Sequence, residues 1–599
     1  MTELFETTDL ADHRLLQGYD GPLAVLNEAG LLTAGDVRTA EAVCRLGGDL
    51  SADVQLAVAL LVRAARHGSV CVDLREPGEL LPEHPWPAPD AWLAAVTASP
   101  LTGVALQVEN DLVYLHRYWG EEGAVVLDLH DRLARPQPAV DEARLSAALD
   151  RLFPVVADPA GAVAAGEPQQ QVDWSEQRKA VEESARRWTS VITGGPGTGK
   201  TTTLARLLAV LADQADGTLR IALAAPTGKA AARMTQSLAG TLANENVPFP
   251  EEDRERLQGL TASTLHRLLG FRPDNHSRFR HHRGNRLPHD VVVVDEASMV
   301  SLSLMARLVE AIRPDARLVL LGDADQLASV EAGAVLHDVV AGFADRVPTP
   351  VSRLETSHRF GGTIGRLAEA VRDGEAGIAT GLLTGTAPDV RLVDPADVDE
   401  VRRLVMPTVT ALRAAAVAGD HAEVVRQLSR HRLLCAHREG PFGVTHWNDL
   451  VEQWLRIEEG LDWLPARYPG QPLLQTANDY GLRLWNGDTG VVLGGDERQA
   501  LFDDGDGGRV VSLARLSDVE VAHALTVHRS QGSEFDEVTV VLPEADSRLL
   551  TRQLLYTAIT RARSTVTVVG TPEAVAHAIE RQASRASGLA ARLSADLPG

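Results

Sequence analysis

From residue 189 onward the chain alternates two patterns. Short apolar runs such as VITG, RIALAAPT, DVVVVDEA and ARLVLLGDADQ each end in polar residues. Longer stretches such as TTTLARLLAVLADQA repeat apolar residues every three to four positions. A run apolar on both faces predicts a strand buried on both faces, and the longer period predicts a helix. Strands alternating with helices predict a parallel sheet in an α/β domain, with ligands at the carboxyl ends of the strands. A second strand set follows in RLLCAHRE, EVTVVLPE and STVTVVGT. Residues 465–525 interrupt it with short β-like runs and turn signals such as WNGDTG, which predicts a small β insertion.

The first 150 residues read as a mixed α+β domain. DVQLAVALLVRAARHG has helical spacing, while SVCVDL, VYLHRYW and AVVLDLH are expected to be strands. Residues 151–173, rich in Pro, Ala, Gly and Gln, are the expected linker. The resulting plan is 1–150, linker 151–173, a first α/β domain over 174–348 and a second over 349–599.

Composition narrows the class. The chain has 599 residues, 44% of them hydrophobic, and no apolar run approaches the roughly 18–20 residues of a membrane span. The acidic first residues, MTELFETTDLADHR, do not resemble a secretory signal. Three scattered cysteines argue against a disulfide framework or a zinc site, so the cytoplasm is expected. A net charge of −24 argues against coating nucleic acid by bulk electrostatics. Residues 1–150 contribute 24 acidic residues against 10 arginines, whereas residues 267–286 hold six arginines and one aspartate. The first segment repels polyanions and the second could touch them.

The candidate chemistry begins at GGPGTGKTTT. Gly194, Gly199, Lys200 and Thr201 satisfy G-x-x-x-x-G-K-[ST], with a predicted strand before and a predicted helix after. In the loop Gly194, Gly195, Pro196, Gly197, Thr198 and Gly199, the backbone N–H groups of the residues other than Pro196 are expected to wrap a phosphate, with Lys200 reaching the β/γ-phosphates and Thr201 and Thr202 opening the helix. The chain holds three lysines against 55 arginines, so a lysine kept in this narrow loop is notable: a compact ammonium fits where a planar guanidinium does not. VVVVDEAS supplies the acids: Asp295 to hold Mg²⁺ together with the Thr201 hydroxyl, Glu296 to orient the attacking water. Together they predict ATP hydrolysis with Mg²⁺ and leave open what it drives.

Further motifs run in a recognisable order. DWSEQRKAV, APTGKAAARM, STLHRLLG, LGDADQL, LETSHRF, LTVHRSQGSEF and LLYTAITRAR resemble the ordered motifs of superfamily 1 helicases over roughly residues 170–570. Within that superfamily the chain resembles the RecD family, the alpha subunits of exodeoxyribonuclease V (RecBCD), in PTGKAA, VDEASMV, GDADQLASVEAG and TVHRSQGSEF and in its acidic N-terminal region. The resemblance implies two RecA-like P-loop domains with parallel sheets, a small SH3-like β insertion in the second, and a mixed N-terminal domain that docks on a partner. It implies that Gln177 reads adenine, Gln326 senses the γ-phosphate, and Arg359 and Arg561 complete the site from the second domain. Gly532 and Glu534 would contact the nucleotide, and Thr526 and His528 the DNA. The expected activity is a 5′→3′ single-stranded DNA motor in a heterotrimer with RecB-like and RecC-like subunits that processes broken double-stranded DNA.

Other positions have competing readings. Thr227, Gly228 and Lys229 suit DNA contact at a strand end, or a helix cap. Thr264 and His266 divide between phosphate contact and a local cap, and the basic stretch 267–286 between DNA contact and a solvated loop. Trp447, Tyr480 and Trp485 suit core packing more than base stacking. No nuclease constellation stands out, so nuclease activity is expected in a partner. A stand-alone superfamily 1 helicase, a structural subunit with an idle ATPase and an RNA translocase remain the alternatives.

Overall fold

The computed structural model describes residues 12–595 except 77–79, 82–83, 154–172, 216, 245–248, 273–274, 357–361, 463, 480, 504–506, 546, 548 and 584, and the side chains of 275–278. Most of the expected linker, Arg359 and Tyr480 lie outside the described residues.

Two parallel sheets organise the molecule. The first orders its strands Val351–Leu354, Thr189–Gly194, Arg317–Gly322, Val291–Val294, Ile221–Ala225 and Ala262–Thr264. Every neighbouring pair is parallel. Val291–Val294 is buried along its whole length because helices cover both faces, which is why its sequence is four valines. The second sheet orders Val390–Val393, Ala562–Val569, Phe535–Val541, His431–Cys435 and Ala524–Thr526, again all parallel. The insertion is a five-stranded antiparallel sheet of Arg509–Ser512, Gln499–Phe502, Thr489–Val492, Pro472–Gln475 and Val519–Val521, within the span expected for it. Trp447 is core, as its packing reading had it.

Three expectations change. Val351–Leu354 pairs with Thr189–Gly194, so the chain leaves the first sheet after Leu354 and not at 348. AVVLDLH is not a strand but the middle of the helix His116–Ala134, and the last residues of VYLHRYW form the first turn of that helix; of these segments only Leu112–Leu115 is extended. The residues before and after AVVLDLH carry the helical period, and a seven-residue window could not decide between the two. The first 150 residues are also not one separate body. Residues 23–113 form their own core around Trp92, with the helices Ala34–Gly47 and Ala52–Arg66 and a three-stranded antiparallel sheet.

Two later helices of that segment instead complete the first α/β domain. Val125, Val126 and Leu129 join the core on one face of its sheet, and Leu145, Leu149 and Leu152 the core on the other. Arg132 is buried and donates to Thr189 Oγ1 at 2.8 Å, Trp188 O at 2.9 Å and Arg313 O at 3.1 Å, satisfying carbonyls where the central strands begin. The C-terminal helix Leu589–Ser594 returns to the same face, where the Leu593 carbonyl lies 3.0 Å from His130 Nε2.

The helical assignment has a direct consequence. Alternation would put Leu127 and Leu129 on one face, whereas here Leu129 is buried and Leu127 is 59% exposed. Leu129→Ala is expected to cost about 2–5 kcal/mol in urea unfolding, and Leu127→Ala less than about 0.5 kcal/mol. Equal losses would contradict the helix.

Candidate nucleotide cleft and interdomain site

The strand Thr189–Gly194 delivers the glycine loop to the carboxyl edge of the first sheet. Gly197 and Gly199 have φ of +80° and +82°, a left-handed backbone that side chains rarely adopt. A Cβ on Gly194 would meet the Leu354 carbonyl at 2.5 Å, so the loop also needs glycine for space. Lys200 Nζ donates to the carbonyls of Gly194 at 2.6 Å and Gly195 at 2.8 Å, and the Thr198 hydroxyl donates to Gly195 O at 2.9 Å. Pro196, Gly197, Gly199, Lys200, Thr201 and Thr202 line a cleft of about 820 Å³. Gln177 does not line it: the side chain is fully buried and donates to Thr198 O at 3.2 Å, bracing the loop from behind. Trp174, three residues earlier, is the cleft-lining residue of that segment.

Asp295 and Glu296 leave the end of Val291–Val294 and line the same cleft. Glu296 has φ +50°, an uncommon state for a residue with a side chain, and its N–H donates to Asp295 Oδ1 at 2.8 Å. Burial and the neighbouring Glu296 raise the Asp295 carboxyl above the usual carboxylate range, against the pull of Lys200 and Arg233. Thr201 and Asp295 therefore offer a hydroxyl and a carboxylate in one cleft, a donor set that fits Mg²⁺ sharing the nucleotide's oxygens.

The other wall comes from the second domain. Arg561, only 3% exposed, donates through Nη2 to Gln326 Oε1 at 3.0 Å across the gap, and through Nε and Nη1 to Thr557 O and Ser533 O in its own domain. The loop that carries Gln326 is held at three more points. The Tyr556 hydroxyl donates to Asp323 Oδ2 at 3.2 Å, Leu327 N to Thr557 Oγ1 at 2.9 Å, and Gln531 Nε2 to Leu327 O at 2.9 Å. Burial and Asp323 raise the Tyr556 pKa, so the hydroxyl remains a donor. Glu534 lines the cleft, whereas Gly532 borders a neighbouring cavity beneath the insertion and not the cleft itself.

The expected DNA contacts are engaged locally. Thr227 caps the helix Gly228–Ala243 by accepting from Ala230 N, and Thr264 caps the helix Leu265–Leu269 by accepting from Arg267 N. Gly228 lies against Trp485 of the insertion, and Lys229 Nζ donates to Gly487 O at 3.3 Å. The His266 ring packs on Phe271 and Phe279. The Thr526 hydroxyl accepts from Arg529 N at 3.3 Å. Burial and Arg585 lower the His528 imidazole to about 4, so it is neutral at pH 7. In the basic stretch, Arg283 pairs with Asp128 and Arg286 donates to the Ile312 carbonyl, which gives both a structural role.

Sequence reading missed Asp323, Tyr556 and Arg233. Asp323 had a signal: it ends a buried strand, Arg317–Gly322, beside the glycine-loop strand, as Asp295 ends its own. Tyr556 and Arg233 had none, because their partners are remote in sequence.

Comparison with known proteins agrees with this architecture. An AAA domain matches residues 177–332, a UvrD-like helicase C-terminal domain 521–569, and the N-terminal domain of RecBCD enzyme subunit RecD residues 28–111. The chain is 52% identical over 575 residues to RecBCD enzyme subunit RecD of Mycolicibacterium smegmatis, covering 94% of this chain and 98% of that protein. It is 50% identical to its Mycobacterium tuberculosis counterpart over 96% of this chain and 97% of that one. The ATP-dependent RecD2 DNA helicase of Deinococcus radiodurans is 36% identical over 68% of this chain and 50% of that protein. With near-complete overlap at such identity, the chain belongs to the family of RecBCD enzyme subunit RecD.

Proposed function

We propose that the chain is an ATP-driven DNA motor that moves 5′→3′ on single-stranded DNA, as one subunit of a cytoplasmic helicase–nuclease that processes double-strand breaks. The carrying observation is the cleft built from two domains: Lys200, Thr201, Asp295, Glu296 and Gln326 on one side, Arg561 on the other. Lys200 exchanges its carbonyl acceptors for β/γ-phosphate oxygens. Thr201 and Asp295 hold Mg²⁺, which when bound neutralises charge developing on the phosphates. Glu296 orients water. Arg561 approaches the transferred phosphate only while the cleft is closed, so turnover is tied to domain closure. The 5′→3′ polarity rests on the family resemblance. Arg359 belongs to the same proposal.

Lys200→Ala in the full chain is expected to lower strand-stimulated ATP hydrolysis by at least about a hundredfold. A duplex with a 5′ single-stranded tail is the expected unwinding substrate. Unwinding confined to 3′-tailed duplexes would contradict the polarity, and hydrolysis unchanged in the lysine variant would contradict the motor.

The family name carries RecB and RecC as partners, and we place the docking surface on the N-terminal core. Leu46, Leu50 and Val104 are 89%, 67% and 76% exposed. They stand at one end of that core, where Ser99 Oγ donates to Asp49 Oδ2 at 2.6 Å and Gly47 packs on Leu101. Neighbouring exposed apolar side chains of this size mark an interaction surface. The double variant Leu46→Asp with Leu50→Asp should co-purify at least about tenfold less with RecB and RecC, while its ATP hydrolysis stays near wild type. Undiminished co-purification would place docking elsewhere.

A further inference from the structure

The helix Gly228–Ala243 starts at the expected strand-contact residues, capped by Thr227, and carries Arg233 one turn beyond Lys229. Both residues border a cavity of about 360 Å³ beneath the insertion, together with Trp485 and Asp488. Arg233 also borders the nucleotide cleft. It forms an ion pair with Glu534 of the second domain, and Glu534 pairs in turn with Arg563 at 3.3 Å. Arg233, Glu534 and Arg563 face both cavities, so this charge ladder is the partition between them. On the cleft side Arg233 lies within electrostatic reach of Glu296 and Asp295.

We propose that Arg233 is a positioning residue that couples strand binding on its helix to ATP hydrolysis in the cleft. The inference rests on the motor reading above. Arg233 stands between acids of both domains. With the domains together, Glu534 holds the guanidinium and registers the second domain on the helix that begins at Thr227. With the domains apart, Glu534 is out of reach, and the acids left to Arg233 are Asp295 and Glu296. A guanidinium drawn onto Glu296 competes with the water that this carboxylate orients. The same side chain therefore favours hydrolysis in the closed arrangement and opposes it in the open one. An ordinary exposed ion pair would have little effect on anything. This one is half-buried on the arginine side and nearly buried on the glutamate side, where losing one partner matters more.

The test is steady-state ATP hydrolysis by the full chain with and without oligo(dT). Arg233→Gln should reduce the ratio of stimulated to unstimulated rate by about tenfold, with KM for ATP changed less than about threefold. In the cycle of neutral variants, Arg233→Gln, Glu534→Gln and the two together, the loss in the double variant should be smaller than the product of the two single losses. A wild-type ratio in Arg233→Gln, or single losses that simply multiply in the double variant, would overturn the proposal. Absence of strand stimulation in the wild-type chain would instead overturn the motor reading on which it rests.

Discussion

The hydrogen bond from Arg561 to Gln326 is the contact on which the rest of the site depends. It joins the turn between the helix Arg552–Ile559 and the strand Ala562–Val569 of the second domain to the loop that ends a central strand of the first. The arginine is buried, and its burial is offset by three carbonyl or amide acceptors and by the nearby charges of Glu296 and Asp323. Tyr556, Thr557 and Gln531 grip the same loop within a few residues. Each such bond contributes only about 0.5–1.5 kcal/mol net, or about 1.5–3 kcal/mol with a charged partner. A small set of polar contacts like this can be made and broken by a ligand that favours one arrangement, whereas an apolar interface of similar size would lock the domains.

The remainder of the first domain serves to hold this contact still. Helices from before residue 153 cover both faces of its sheet, and the C-terminal helix closes over one of them. Glycine is required in the phosphate loop by backbone angle and by contact with Leu354. The insertion adds a second tie between domains, with Trp485 against Gly228 and Lys229 on the Gly487 carbonyl. Burial lowers the Lys229 ammonium to about 8, and Asp488 opposes that shift. This explains one of the three lysines: a compact ammonium fits between a helix start and a turn of the insertion.

The chemistry of single segments was legible in the sequence. Buried parallel strands announce themselves as apolar runs, and the glycine loop and the DE pair stand at strand ends in one cleft, as their spacing predicts. AVVLDLH was not legible, since Val125, Leu127 and Leu129 satisfy a strand while Val125, Val126 and Leu129 satisfy a helix. Contacts between segments were not legible either. Tyr556 and Asp323 are 233 residues apart, and no local pattern pairs them. Gln177 shows a third limit: the resemblance implies adenine contact, and only the fold shows that its side chain is buried and donates to the loop carbonyl of Thr198. Arg233 is a single arginine in an alanine-rich helix, and it has meaning only once Glu534 lies beside it.

A motor of this build needs, for hydrolysis, an arginine delivered from the second domain to a nucleotide held by the first. Arg561→Ala separates the two roles, with equilibrium ATP binding measured beside single-turnover hydrolysis on saturating single-stranded DNA. Affinity is expected to stay within about threefold of wild type and hydrolysis to slow by about a thousandfold or more. Hydrolysis within about tenfold of wild type at unchanged affinity would contradict it.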